Sequence, residues 1–164
     1  MTLTLHRLAI AAAVLLVLAT ASVAIAQFEH TLKTGRVVNI ALAPLDPRSI
    51  MQGDYMALAY AIDRELPEDA AQYKYAWLNV DAGQQASLHS LSNNLPQDPQ
   101  LVAVLLRRRD GIFSIGPNAF FFAEGTGALY EQAPYGQFRV DAGGKALLVS
   151  LLDENLQLLG ENNR

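Results

Sequence analysis

The spacing of apolar and polar positions divides the chain at Gly35. Residues 8–26 carry no charge, and only Thr20 and Ser22 are polar. These 19 residues would cover about 28 Å as a helix, close to the ~30 Å hydrocarbon layer of a bilayer. The helical pattern continues through Phe28, Leu32 and Thr34 to Gly35, a natural stop. Beyond it no long amphipathic helix is legible. Short apolar runs, several alternating with period two, are bounded by Gly, Pro, Asn and Asp. They predict strands at 36–43, 54–64, 73–80, 85–91, 101–109, 112–115, 119–123, 136–141 and 145–152, with a short one at 156–159. Asp81-Ala82-Gly83, Asp110-Gly111 and Ala142-Gly143-Gly144 predict the hairpin turns. The expected fold is an all-β, hairpin-rich soluble domain, barrel- or sandwich-like, behind one N-terminal transmembrane helix. The expected organisation is a cytoplasmic N-terminus at 1–7, the membrane helix and its extension at 8–34, an extracytoplasmic β domain at 35–160 and a polar tail at 161–164.

Charge sets the orientation. Arg7 precedes the apolar run with His6 beside it, so the positive-inside rule puts the first residues in the cytoplasm and the rest outside. This means a single-pass membrane protein with its domain outside the cytoplasm. The competing expectation is a secreted protein, cut after Ala26, since Ala24-Ile25-Ala26 fits a small-x-small cleavage site. The apolar run is long for a signal peptide, which favours an uncleaved anchor. The net charge is −4, without a basic stripe, which argues against nucleic acid as a partner. With no cysteine, disulfide and thiolate chemistry are excluded.

Candidate chemistry concentrates around the second strand. Pro44 and Pro47 end the incoming strand, Asp46 is placed to cap a short turn begun by Pro47, and Gly53 leads into an apolar strand. Asp46, Arg48 and Asp54 lie close in sequence. Arg48 can make a bidentate contact to a carboxylate or phosphate of a ligand or partner, or pair internally with Asp54 or Glu124. Tyr55 and Tyr60 fall on opposite faces of a regular strand, and core packing is the expectation for both. Both strand faces are largely apolar, which makes that strand a central one. Glu124 follows three phenylalanines and can act as an acid or base there, or accept backbone hydrogen bonds in the Gly125-Thr126-Gly127 loop. Asp46, Asp54 and Glu124 lack the dense spacing of a calcium loop, and His6, His30 and His89 are too scattered for a metal site, so no metal or cofactor is expected. Arg107-Arg108-Arg109 is the only basic run, and alternate residues of a strand point to opposite faces, so it is not one patch.

Gly53-Asp54-Tyr55-x-x-Leu58-x-Tyr60 resembles the signature of the GDYXXLXY family. Pro44-x-Asp46-Pro47-Arg48 upstream, Glu29, Leu32 and Gly35 after the apolar run, and Phe122-x-Glu124-Gly125 extend the resemblance over residues 29–159. It implies a bacterial protein of the inner membrane with one N-terminal membrane segment and an extracytoplasmic domain in the periplasm or outside. Genes of that family often neighbour those of predicted multi-span membrane proteins, and no activity is implied. A proline, a turn and Gly-Asp before a strand also resembles membrane-anchored signal peptidases. There the serine nucleophile lies eight residues before the glycine; that position here is Leu45, and no lysine lies between Lys33 and Lys74. No catalytic residues are assigned. The leading expectation is a non-catalytic accessory or interaction module for an integral membrane protein. A small-ligand or cell-envelope binding domain using Arg48, Asp54 and Glu124 is the alternative. A hydrolase using Glu124 and Asp54 comes below both.

Overall fold

The computed structural model describes residues 2–43, 55–109, 112–122, 126–130 and 132–161. One helix, α1 (Thr2–Thr34), precedes eleven strands: β1 (Arg36–Ala41), β2 (Tyr55–Ala57), β3 (Tyr75–Val80), β4 (Ala86–Ser92), β5 (Leu101–Leu105), β6 (Arg107–Arg109), β7 (Ile112–Ser114), β8 (Ala119–Phe121), β9 (Tyr135–Val140), β10 (Ala146–Leu152) and β11 (Leu158–Glu161). All the sheets are antiparallel: β1-β9-β10-β11, β4-β3-β5, β2-β8 and β6-β7. No closed barrel forms among the described residues. The fold is thus the expected strand-rich domain behind one apolar helix. That helix is long and apolar enough to cross a membrane over His6–Thr34, and none of its most apolar window is buried in the protein.

The two larger sheets share one core. β1, β9 and β10 supply Val38, Ile40, Phe138 and Leu148; β3 and β5 supply Ala76, Leu78, Val102 and Val104. In β3 the period-two pattern sends Ala76 and Leu78 inward and leaves Asn79 exposed. The opposite face of the four-stranded sheet is polar at its centre. Asn39 pairs with Gln137, and Gln137 with Ser150. Gln137 Nε2 donates to Asn39 Oδ1 and Ser150 Oγ to Gln137 Oε1, both at 3.4 Å, and Asn39 and Ser150 are buried. A bulge in β10 between Leu148 and Ser150 brings the serine onto this file.

Two predicted strands are shorter than their apolar runs. Among the described residues the run at 54–64 is ladder only over β2, which pairs with β8 in a two-stranded sheet and not, as its two apolar faces predict, at the centre of a larger one. Among its described residues Met56, Leu58, Tyr60 and Ile62 are buried, while Ala57, Ala59 and Ala61 are half-buried. Tyr60 makes one bridge to Leu42, and Ile62–Glu65 then closes as a 3-10 turn, with Asp63 N–H donating to Tyr60 O at 3.1 Å. The run at 101–109 breaks at Leu106. β5 stays with β3, while β6 turns away to pair with β7. The Leu106 N–H donates to Lys74 O at the break.

Three turns use the same device. The Asp81, Asp141 and Asp153 carboxylates each accept the N–H four residues on: Gln85, Lys145 and Gln157, at 2.8, 2.9 and 2.8 Å. The fourth residue of each turn has positive φ: Gln84 at 63°, Gly144 at 86° and Leu156 at 61°. Only Gly144 is free of the Cβ penalty there. Gln84 is exposed, so Gln84→Gly is expected to stabilise the domain by about 0.5 kcal/mol, relief of the left-handed strain outweighing glycine's added chain entropy. Thermal melting of the two proteins side by side checks the sign.

Candidate functional site

Of the residues singled out in sequence, Asp46, Arg48, Asp54 and Glu124 lie outside the described residues. Tyr55 is the first residue of β2, directly opposite Phe121 of β8. The β2–β8 pair therefore brings together the described ends of the two motif segments. Met56 faces Phe120 and Ala57 faces Ala119 along the same ladder, and Leu58 N–H donates to Asn118 O beyond it.

Tyr60, the last position of the motif, is buried at 1% exposure. Its ring meets Phe138 edge-on with centroids 5.7 Å apart, and its hydroxyl donates to Pro117 O at 2.6 Å. Gly116 packs close to the hydroxyl end of the ring: a Cβ there would come within 2.5–2.7 Å of the ring and its hydroxyl. Burial pushes the Tyr60 hydroxyl well above the ordinary tyrosine range, and the nearby Asp63 adds to this while Arg107 opposes it. Leu58, the motif's other apolar position, is also in the core. In the same core, Phe122 packs at a tilt on Tyr130 with centroids 5.3 Å apart, and Phe120 meets Tyr130 edge-on at the same distance. The three phenylalanines before Glu124 thus divide: Phe120 and Phe122 are buried and Phe121 is exposed, as period two requires.

Asp63 carries no separate signal in the sequence, because it lies within a run that predicts a strand. Its carboxylate accepts the Ile115 N–H at 3.1 Å, tying the 3-10 turn to the end of β7. Burial raises its pKa above the ordinary 3.8, and hydrogen bonds from Ser114 and Ile115 work the other way. The sign follows by linkage. A carboxyl whose folded pKa exceeds its unfolded one stabilises the fold when protonated, and that contribution is lost as pH rises from 3.8 through the raised value. Asp63→Asn keeps an acceptor for Ile115 without the buried charge. We expect it to raise the melting temperature at neutral pH and to flatten stability across that window, as read from melts at a series of pH values.

The second cluster joins α1 to the domain, and its partners lie too far apart in sequence to be foreseen. Thr31, though on the apolar helix, is 2% exposed. Its hydroxyl contacts Gln27 O at 3.0 Å and Asp141 Oδ2 at 3.2 Å. The other oxygen of Asp141 accepts the Gly143 and Lys145 N–H groups, both at 2.9 Å. Lys145 Nζ stands 3.7 Å from the centre of the Phe28 ring. At the helix end, Gly35 N–H donates to Thr31 O and Arg139 donates to Gly35 O at 3.1 Å. A side chain on Gly35 would collide with Thr31 O and press on Val140 N and Arg139 Cβ, so the chain turns from helix to β1 only where no Cβ intervenes. The Glu29 and Lys33 side chains pair on the exposed helix surface at 3.1 Å.

The family model for the GDYXXLXY protein matches residues 17–151, from inside the apolar helix to near the end of β10. The chain belongs to the GDYXXLXY family. No curated protein and no solved structure matches it. Two fixed positions of the GDYXXLXY signature, Leu58 and Tyr60, therefore serve the core in this chain, and Tyr55 opens the strand that pairs with β8. Among the described residues no group of His, Asp or Glu side chains could hold a metal ion.

Proposed function

We propose that this GDYXXLXY protein is a non-catalytic, membrane-anchored module whose β domain stands on the outer surface of the bacterial inner membrane and serves an integral membrane protein. The observation that carries this reading is the join between helix and domain. α1 continues unbroken from its apolar run to Thr34 and is fastened to the β9–β10 turn through Thr31–Asp141 and Phe28–Lys145. A domain fastened to its own anchor has a fixed height and facing relative to the bilayer, as a fitted accessory needs and a flexible tether would not provide. Arg7 before the apolar run supports a cytoplasmic N-terminus. The organisation 1–7, 8–34, 35–160 and 161–164 goes with this reading.

The β2–β8 pairing favours a second reading, in which Arg48, Asp54 and Glu124 form a site for a small ligand or cell-envelope component. Tyr55 and Phe121 are opposite one another, and in sequence Asp54 directly precedes the first while Glu124 follows the second by three residues. Asp46, Arg48, Asp54, Tyr55 and Glu124 are the residues proposed to contact the ligand or partner, while Tyr60, grouped with them by sequence, serves the core.

Purification of the full-length chain in mild detergent tests both. A membrane protein is expected to co-purify with the parent and to be lost from Arg48→Ala or Asp54→Asn chains that still melt cooperatively. Recovery of the parent alone would remove the accessory reading, and a small-molecule screen on the same preparation would then decide the second.

A further inference from the structure

A groove of about 390 Å³ lies between α1 and the β9–β10 turn, lined by Val23, Ala26, Gln27, His30, Thr31 and the Asp141 and Lys145 side chains. Its polarity changes along the helix axis: Val23 and Ala26 at one end, His30 and Lys145 at the other. The uncharged part of α1 runs over residues 8–28, and Glu29 is the first charged residue beyond it. Such a stretch covers about 31 Å of helix, the thickness of the hydrocarbon layer, which sets Phe28 at its outer boundary. On the same rise, Val23 lies about 8 Å inside that boundary and Thr31 about 5 Å outside it. The groove therefore straddles the plane where acyl chains give way to phosphates.

We propose that this groove holds one phospholipid, its phosphate on Lys145 and its acyl chains along Val23 and Ala26. The inference rests on the membrane-anchored reading above and adds a ligand to it. Charge complementarity selects the occupant. Lys145 has no carboxylate within ion-pair distance among the described residues, and the Phe28 ring covers one side of its ammonium, leaving N–H donors for an anion. The one carboxylate in the groove, Asp141, is engaged by the Gly143 and Lys145 N–H groups and by Thr31. Glu29 and Lys33 neutralise each other outside the groove lining. A free anion would use the cation and leave the apolar end wet; a phospholipid satisfies both ends.

The test uses full-length protein, delipidated in mild detergent and presented with phosphatidylglycerol, the bound lipid being counted by native mass spectrometry. The parent is expected to keep one lipid. Lys145→Gln is expected to lower retention about fivefold, the worth of one cation near an anionic surface. Lys145→Arg and Lys33→Gln should both keep it, the first excluding a folding defect and the second a general charge effect. Alkaline carbonate washing of the source membranes separates the two readings. Release of the protein removes the anchor and this inference with it. Retention of the protein in washed membranes together with an empty parent, or with Lys145→Gln binding as the parent does, overturns the lipid site alone. Displacement of the lipid by millimolar inorganic phosphate also overturns it, in favour of a free-anion site.

Discussion

Truncation of Tyr60 to alanine is expected to lower the stability of the domain by about 3–5 kcal/mol, the usual cost of removing a large aromatic from a packed core. The ring is buried between Phe138 and Gly116, and its hydroxyl holds Pro117 O. The cavity cannot readily collapse, because the four-stranded sheet forms one wall and the Gly116-Pro117 segment the other. Tyr60→Phe separates packing from hydrogen bonding. It keeps the ring and removes the donor to the half-buried Pro117 carbonyl, for about 0.5–1.5 kcal/mol. Chemical denaturation of parent and both variants gives the two values. If Tyr60→Ala costs less than Tyr60→Phe is expected to cost, the residue does not hold the core as described. The result also bears on the family signature. A Tyr60→Phe protein that stays folded yet loses a co-purifying partner would give the hydroxyl a task beyond the core.

The second large effect is expected at Asp141. Asp141→Ala removes acceptors for Gly143 N–H, Lys145 N–H and the Thr31 hydroxyl together, at an expected cost of about 2–3 kcal/mol. Asp81 offers an internal control. It caps the corresponding β3–β4 turn through Gln85 N–H but has no partner on α1, so Asp81→Ala should cost about 1 kcal/mol. The excess at Asp141 combines the additional Gly143 N–H bond with the attachment of the helix. A double-mutant cycle with Thr31→Val isolates it: a coupling energy near zero would mean that the helix and domain are not held together at this point.

Much of the fold was legible because it depends on local chemistry. The alternation of Tyr75 to Val80, the Asp-Ala-Gly turns and the helical pattern stopping at Gly35 yielded the β3–β4 and β9–β10 hairpins and the end of α1 at Thr34, while its start at Thr2 lies ahead of the expected 8–34. The failures have a common cause. Residues 54–64 and 101–109 are apolar enough for one long strand each, but their continuity is decided by partners distant in sequence. Asp63 reaches Ile115 and closes a turn where a strand was expected. Leu106 is pulled to Lys74 while β6 departs towards β7. Periodicity records which side faces the core and not which neighbour takes the backbone hydrogen bonds. The same limit hid the helix attachment. Thr31 reads as one polar residue near the end of an apolar helix, and its partner Asp141 as one more turn aspartate. Tyr60, by contrast, was expected in the core and lies there. The motif segment from Asp46 to Asp54, and Glu124, fall outside the described residues, so their part in the candidate site is carried by the sequence pattern and by the pairing of Tyr55 with Phe121.

The polar file across the four-stranded sheet has a consequence for assembly of the fold. A slip of one residue between β1, β9 and β10 would turn Asn39, Gln137 or Ser150 into the apolar layer occupied by Val38, Phe138 and Leu148, and would carry those side chains out. A slip of two would restore the faces but part the amides from their partners. The file therefore acts as an alignment key for three strands, two of which, β1 and β9, are separated by most of the domain's sequence. It excludes near-native mispairings that hydrophobic burial alone would tolerate.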